Sequence, residues 1–348
     1  MASSATPSNN LPSLEQITTS IKSGSIKNIV LLTGAGLSTT SGLPDFRTPT
    51  TGLYARLAPL NLPYPEAIFH ISYFRHTPEP FYAIARARHP RNLKPGLGHA
   101  FLALLEKRGV LGGVVTQNID GLEVDAGVGR ERVLNAHGDW KSQTCIKCKV
   151  PYGDIPMKEA IEKGEVPICD QELPGGRCGG IVKPDIVMFG ESLPKKFDTW
   201  IEEVVPKADL LIVLGTSLKV YPVAGIPRQI PENIPRILVN NELVGDFGSR
   251  SGDVCLIGSV EDGVRSIARG LGWESELDET WKDAVERKEA EVEAEGWDDG
   301  GPSLDECIAK AAERMQVRMG VSEGHRRMLE GYLGEKMVGI LGRMAVRE

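Results

Sequence analysis

Four apolar runs stand out along the chain, at 28–34 (NIVLLTG), 112–118 (GGVVTQN), 208–217 (ADLLIVLGTS) and 236–242 (RILVNNE). Each is continuous rather than alternating, the pattern of a strand buried on both faces of a parallel sheet. Helical patterns separate them, so the chain reads as α/β, a doubly wound parallel sheet that begins near Ile26. Two stretches break that rhythm. Residues 51–90 are aromatic and punctuated by proline, which predicts short helices inserted after the first strand, and 141–182 are rich in Cys and Gly with almost no core-forming run. Both are expected in a smaller lobe beside the sheet.

The ends read differently. Residues 1–25 are rich in Ser, Pro and Asn, which predicts disorder up to a short helix near 14–21. Residues 274–306 are strongly acidic and 325–347 basic and amphipathic, so 274–348 read as a helical extension around a loop at Gly296 to Pro302. The face formed by Leu329, Leu333, Met337, Ile340 and Leu341 could pack back on the core as an autoinhibitory or regulatory element, self-associate, act as an export signal, or be an ordinary surface helix.

With 348 residues, 41% of them hydrophobic, the chain can bury a full core. A net charge of −7 argues against a nucleic-acid surface of any size and suits a cationic partner. The absence of any run of 18 apolar residues predicts no membrane span, and MASSATPSNNLPS lacks the basic start and apolar centre of a secretory signal. The expectation is a soluble protein of the cytoplasm, the nucleus or both.

Six cysteines in such a chain point to thiols or metal ligands rather than a disulfide framework. Cys145 and Cys148 form a C-x2-C knuckle, and Cys169 and Cys178 follow. Two such pairs complete a tetrahedron around a structural Zn2+, closed to substrate. The gap inside the second pair is long, and Gly175, Gly176, Gly179 and Gly180 would let it fold back. Four buried thiols or a redox pair fit this core-poor segment less well. Cys255 and Cys307 read as core residues.

Polar clusters end each apolar run: Gly34-Ala35-Gly36-Leu37-Ser38 with Asp45-Phe46-Arg47, then Thr116 to Asp120, Gly215-Thr216-Ser217 and Asn240-Asn241-Glu242. Ligands of open α/β sheets bind at that edge. Any one cluster could be mere capping, as Asn118 and Asp120 before Gly121, but four in succession point to a binding crevice. The dehydrogenase fingerprint is only half present, because Thr39 stands where the third glycine belongs and no acidic residue follows at the usual distance. His137, in VLNAHGDW, is the candidate general base. Histidines 70, 76, 89, 99 and 325 are given no chemistry.

GAGLSTTSGLPDFR, TQNIDGLE, AHGD, the two cysteine pairs, VKPDIVMFGESLP, GTSLKVYPVA and LVNNE resemble, in that order, the signature motifs of the sirtuins, NAD-dependent protein lysine deacylases. The resemblance spans about Ile26 to Trp273, and FRTPTTGLY and LPYPEAIF look like the class I branch of cytoplasmic yeast-type and human-type deacetylases. It implies a Rossmann-like domain (26–50, 96–140 and 183–273) with a helical insertion (51–95) and a zinc module (141–182).

By this resemblance, Gly34, Ala35, Gly36 and Ser38 line the phosphate and ribose region of NAD, and Asp45, Phe46 and Arg47 belong to a loop over the cofactor. Gln117, Asn118, Ile119 and Asp120 form the nicotinamide pocket, with Asn118, Asp120 and His137 as catalytic residues. Gly215, Thr216, Ser217, Asn240, Glu242 and Val260 hold the adenosine half, Asn240 and Glu242 replacing the dehydrogenase acid. An acetyl-lysine strand, from histone tails or other proteins, is clamped between Val187, Phe189, Gly190 and Glu191 on one side and the loop at Val220 on the other. By the same resemblance, Tyr82 is followed by Ala85 where the desuccinylase branch carries Arg, so a neutral acyl group is expected. The implied activity is acetyl transfer to ADP-ribose, releasing nicotinamide and O-acetyl-ADP-ribose. Long-chain deacylation, ADP-ribosyl transfer and NAD-responsive binding without catalysis are the alternatives.

Overall fold

The computed structural model describes residues 13–43, 52–87, 93–295 and 302–319. The loop residues Asp45, Phe46 and Arg47 and the amphipathic segment at 325–347 lie outside them.

The main sheet has six strands: β1 (Ile29–Thr33), β2 (Leu111–Thr116), β3 (Val133–Asn135), β8 (Leu210–Leu214), β9 (Arg236–Asn240) and β10 (Asp253–Ile257). All pair in parallel, in the order β10-β9-β8-β1-β2-β3. Four of the six coincide with the apolar runs. β3 and β10 sit at the sheet edges, where a short or half-exposed strand needs no continuous apolar run, and β10 is buried only at Asp253, its other positions being partly or fully exposed. The continuous runs follow from two-sided burial: Ile29, Leu31 and Ile212 face one apolar layer, Val30, Leu32 and Val213 the other.

The first layer is covered by α1 (Leu14–Lys22), α5 (Leu97–Lys107), α6 (Leu122–Asp125), α10 (Val260–Leu271) and α11 (Glu274–Glu295), and the second by α8 (Lys196–Val204) and α9 (Ile226–Gln229). The packed structure therefore starts earlier than Ile26. Ser13 caps α1 through a capping box, and Ile17 and Ile21 are buried against α10.

The smaller lobe combines α2 (Leu53–Arg56), α3 (Ile71–Phe74), α4 (Glu79–Ala87) and α7 (Asp154–Lys163) with the antiparallel pair β4 (Gly138–Cys145) and β7 (Val182–Ile186) and the hairpin β5 (Glu172–Leu173) and β6 (Gly176–Arg177). Phe74, Phe81 and Tyr82 fill its core, and Phe81 stacks on Trp140 with ring centres 5.6 Å apart. The Tyr82 hydroxyl donates to the Val182 carbonyl at 2.6 Å, so it braces the lobe interior. α12 (Leu304–Met319) also belongs to this lobe, placing Leu304, Ile308 and Met315 in the same core. Among the described residues no helix is long and apolar enough to cross a membrane.

Candidate active site and metal centre

In chain order the sheet strands run 3-2-1-4-5-6, so the direction of winding reverses between β1 and β8, and the crevice above their carboxyl ends is where such sheets take ligands. Two turns meet there. The Gly36 N–H donates to the Gly215 carbonyl at 2.8 Å, and the Gly34 N–H to Leu214 at 3.0 Å. A β-carbon on Gly36 would stand 2.7 Å from the Gly215 α-carbon, and Gly215 itself has a φ of +59°. These glycines are needed first because two backbones touch.

Beneath the turns lies a buried polar network. The Ser38 hydroxyl donates to Asp120 Oδ2 at 2.7 Å and accepts from Asn118 Nδ2 at 3.1 Å, and the same amide donates to the Gly34 carbonyl. Asp120 Oδ1 accepts from the Leu122 N–H at 3.0 Å, the first amide of α6. His99, fully buried on α5, joins from behind: its Nδ1 accepts from the Gly96 N–H, which leaves Nε2 protonated and 3.3 Å from Ser38 Oγ. Burial holds its proton affinity down to about 3. No sequence pattern distinguished this histidine from a helix-core residue.

Glu123 likewise carries no signal in the sequence. It is fully buried on α6, accepts from Thr33 Oγ1 at 3.1 Å, and keeps Oε2 without a hydrogen-bond partner among the described residues. Burial and the nearby Asp120 carboxylate push it up to about 7. Burial also raises Asp120, opposed by its hydrogen bonds to the Leu122 amide and Ser38.

His137 stands between β3 and β4. Its Nδ1 donates to the Gln117 carbonyl at 2.9 Å, which leaves Nε2 with its lone pair, and burial lowers its proton affinity. Gln117 accepts from the Thr216 hydroxyl at 2.6 Å, joining the β2 and β8 ends. One connected crevice thus gathers Gly34, Ala35, Gly36, Ser38, Gln117, Asn118, Asp120, His137, Gly215 and Thr216. Ile119 packs against the small-lobe core. Ser217 and Val220 are half-buried on the loop after β8, and the Thr216 hydroxyl also accepts from the Leu218 N–H. Asn240, at the end of β9, donates to the Glu242 carbonyl, while Val260 begins α10 with its side chain in the core beside Leu37 and Gly98.

The segment after β7 ties the lobes together. The Val187 N–H donates to the His137 carbonyl at 2.7 Å, and Phe189 exchanges backbone hydrogen bonds with Phe69 and Ile71. Phe189 remains 40% exposed beside Gly190, whose φ is +88°. The Glu191 carboxylate closes the turn on the Met188 N–H and pairs at 3.1 Å with the buried Lys183 ammonium. Tyr221, 65% exposed, lies on the loop with Val220.

The four cysteines converge. Their sulfurs all lie within 4.8 Å of one another, with Cys145 to Cys178 and Cys148 to Cys169 at 3.7 Å. That exceeds a disulfide bond by far, and it matches the edge of about 3.8 Å that a tetrahedron of sulfurs about 2.3 Å from Zn2+ requires. The long gap between Cys169 and Cys178 is the β5–β6 hairpin, with Gly175 and Gly176 at φ of +111° and +109°. The donor set fits a structural zinc.

The Sir2 family model matches residues 34–222. The chain is 63% identical to the NAD-dependent protein deacetylase hst2-2 of Emericella nidulans, over 96% of this chain and 94% of that protein. It is 41% identical to the NAD-dependent protein deacetylase sirtuin-2 of Danio rerio over 81% and 79%. With the NAD-dependent protein deacetylase hst2 of Schizosaccharomyces pombe it shares 39% identity over 80% and 82%.

Proposed function

Because the chain belongs to the Sir2 family, we propose that it is an NAD-dependent protein lysine deacetylase that transfers the acetyl group of acetyl-lysine to ADP-ribose, consuming NAD as a co-substrate. The observation that carries the reading is His137. Its Nδ1 is committed to the Gln117 carbonyl, and its Nε2 is a bare base in the same crevice as the buried Asn118 and Asp120. A module that only bound NAD would need no base there.

The turns at Gly34–Gly36 and Gly215–Thr216 receive the phosphates and riboses, with Asn240 and Glu242 on the adenosine side. Asp120 accepts from the nicotinamide carboxamide, its carboxylate aimed by the Leu122 amide and Ser38. After the acetyl oxygen has displaced nicotinamide from the ribose, His137 Nε2 takes the proton of the ribose hydroxyl that attacks the acetyl carbon; expulsion of the lysine amine and addition of one water then give free lysine and O-acetyl-ADP-ribose. The substrate enters as an added strand between the 187–191 segment and the 219–222 loop, flanked by Phe189 and Tyr221. Because Phe189 already spends its N–H and carbonyl on Phe69 and Ile71, main-chain pairing on that side falls to its neighbours, Gly190 among them. Lys-rich tails such as those of histones suit an acidic protein. Zn2+ on Cys145, Cys148, Cys169 and Cys178 would brace the lobe and supply no reacting group.

The test is mass spectrometry of an acetyl-lysine histone-tail peptide with NAD and the protein, beside His137→Ala. Free lysine, nicotinamide and O-acetyl-ADP-ribose are expected in equal amounts, with a loss of about 100-fold or more in the variant. Release of nicotinamide from a peptide that stays acetylated would move the assignment to ADP-ribosyl transfer or to longer acyl chains.

A further inference from the structure

α11 lies outside residues 34–222 that match the family model, yet it reaches the turn that carries Asp120. Lys288, buried on α11, places its ammonium 2.7 Å from Asp125 Oδ2 at the end of α6. Burying a lysine is costly unless its charge is matched, so this contact is a specific one. The sequence IDGLEVD puts three carboxyls, Asp120, Glu123 and Asp125, within six residues, two of them buried. Like charges so placed raise one another's proton affinity, and Asp125 acts on Asp120 in that direction.

We propose that Lys288 is a positioning residue for the nicotinamide pocket: by neutralising Asp125 it keeps Asp120 an ionised acceptor, aimed by Ser38 and the Leu122 amide. The proposal rests on the functional reading above. Among the described residues, few other charged and titratable groups surround the turn. Lys141 of β4 stands 3.8 Å from Asp125, a weak second partner, and Glu291 of α11 stands 3.9 Å from Lys288. Arg287 of α11 lies beside Gly127, just past α6. His99 of α5 faces Ser38 and, held neutral by burial, offers no compensating charge. Glu123, pushed up to about 7 by burial and by the Asp120 carboxylate, shares the buried turn with it, and the two titrate as a pair. His137 titrates in the same crevice, but its contribution is common to every variant below.

Without the Lys288 charge, Asp125 would be left to Lys141, and Asp120 would bind its proton at higher pH. A protonated Asp120 becomes a donor and competes with the carboxamide for the acceptor role. The loss should fall on NAD affinity and nicotinamide inhibition more than on kcat.

The experiment uses the full chain as wild type, Lys288→Gln, Lys288→Arg, Asp125→Asn and the Lys288→Gln/Asp125→Asn double variant. It reads the acid limb of NAD binding by calorimetry, the nicotinamide concentration for half inhibition, and Tm. For Lys288→Gln the limb is expected to move up by about half a pH unit, with roughly threefold weaker nicotinamide inhibition. Lys288→Arg should stay near wild type. Asp125→Asn alone should move the limb down, and in the double variant both readouts should return towards wild type. The proposal is overturned if Lys288→Gln leaves limb and inhibition unchanged, or if the double variant is displaced as far as Lys288→Gln alone, since Lys288 then only fastens α11. Should Lys288→Gln fail to fold, an unmoved limb in Asp125→Asn overturns it equally. Wild-type protein that binds NAD but removes no acetyl group sinks the functional reading alone, because the calorimetric limb still tests the charge coupling; wild-type protein that binds no NAD sinks both.

Discussion

At the scale of residues, the site is built on two buried groups with opposite titration. His99 is neutral in the folded protein down to about 3, against an ordinary 6.5, so the stability that depends on its neutrality is present above about 6.5 and lost as pH falls towards 3. Glu123 is pushed up from an ordinary 4.5 to about 7. The folded state then binds the extra proton, and the associated stability is present below about 4.5 and lost as pH rises to about 7. Between 4.5 and 6.5 the two slopes oppose. Glu123→Gln removes one of them, so its stability relative to wild type is expected to rise across that window. Urea unfolding at pH 4.5, 5.5 and 6.5 checks this; parallel curves for the two proteins would show that Glu123 does not hold its proton. Neither residue carried a signal in the sequence, since a histidine in GLGHA and a glutamate in DGLEVD look like ordinary helix positions until the strand ends surround them.

At the scale of elements, the two glycine turns and the cysteine hairpin show how backbone geometry creates a site. The Gly34 and Gly36 spacing is legible as half of a glycine fingerprint, and the structure adds that the turn packs against the Gly215 turn of β8. Cys145 and Cys148 are legible as a knuckle because a C-x2-C turn is local. The pairing with Cys178 depends on the β5–β6 hairpin, which is too short and too exposed to leave an apolar pattern. Such a hairpin has little core of its own, so the metal should hold it. Cys178→Ser is expected to lower bound zinc from one per chain to well below one by elemental analysis. It should also make the small lobe sensitive to protease while the parallel sheet stays protected; full zinc retention would contradict the four-thiolate centre.

At the scale of the whole molecule, the C-terminal helices cover both lobes, α11 the sheet side and α12 the small lobe. α11 packs on α5 and ties to the sheet side through Trp281, which donates to the Pro95 carbonyl, and through ion pairs of Glu276 with Arg108 and Glu289 with Lys94. α12 packs on the small lobe, where Arg56 pairs with Asp305 at 2.9 Å and Arg314 donates to the Gly164 carbonyl. Leu304 and Ile308 are fully buried there. Ile308→Ala should therefore destabilise the protein by about 2–5 kcal/mol, as expected for a buried large-to-small change. NAD affinity should be unchanged, because α12 packs on the small lobe, away from the strand ends. A change of Tm within error of wild type in differential scanning calorimetry would mean that α12 is not part of the folded core in solution.

What the sequence determined by itself is whatever local pattern can encode. Continuous apolar runs specify two-sided burial and hence the parallel sheet, the knuckle spacing specifies a metal turn, and the ordered motifs from GAGLS to LVNNE specify the family. The tertiary structure decided what depends on residues far apart in the chain. His99, Ser38 and Asp120 become one hydrogen-bonded line only when α5 lies behind the β1 and β2 ends, and Lys288 meets Asp125 only when α11 folds back across 163 positions. Glu191 likewise faces Lys183 rather than the open groove because β7 and its turn bring them together. Charge and hydrogen-bond partners act through space over a few ångströms, so their consequences for a site come from packing, which no spacing along the chain records.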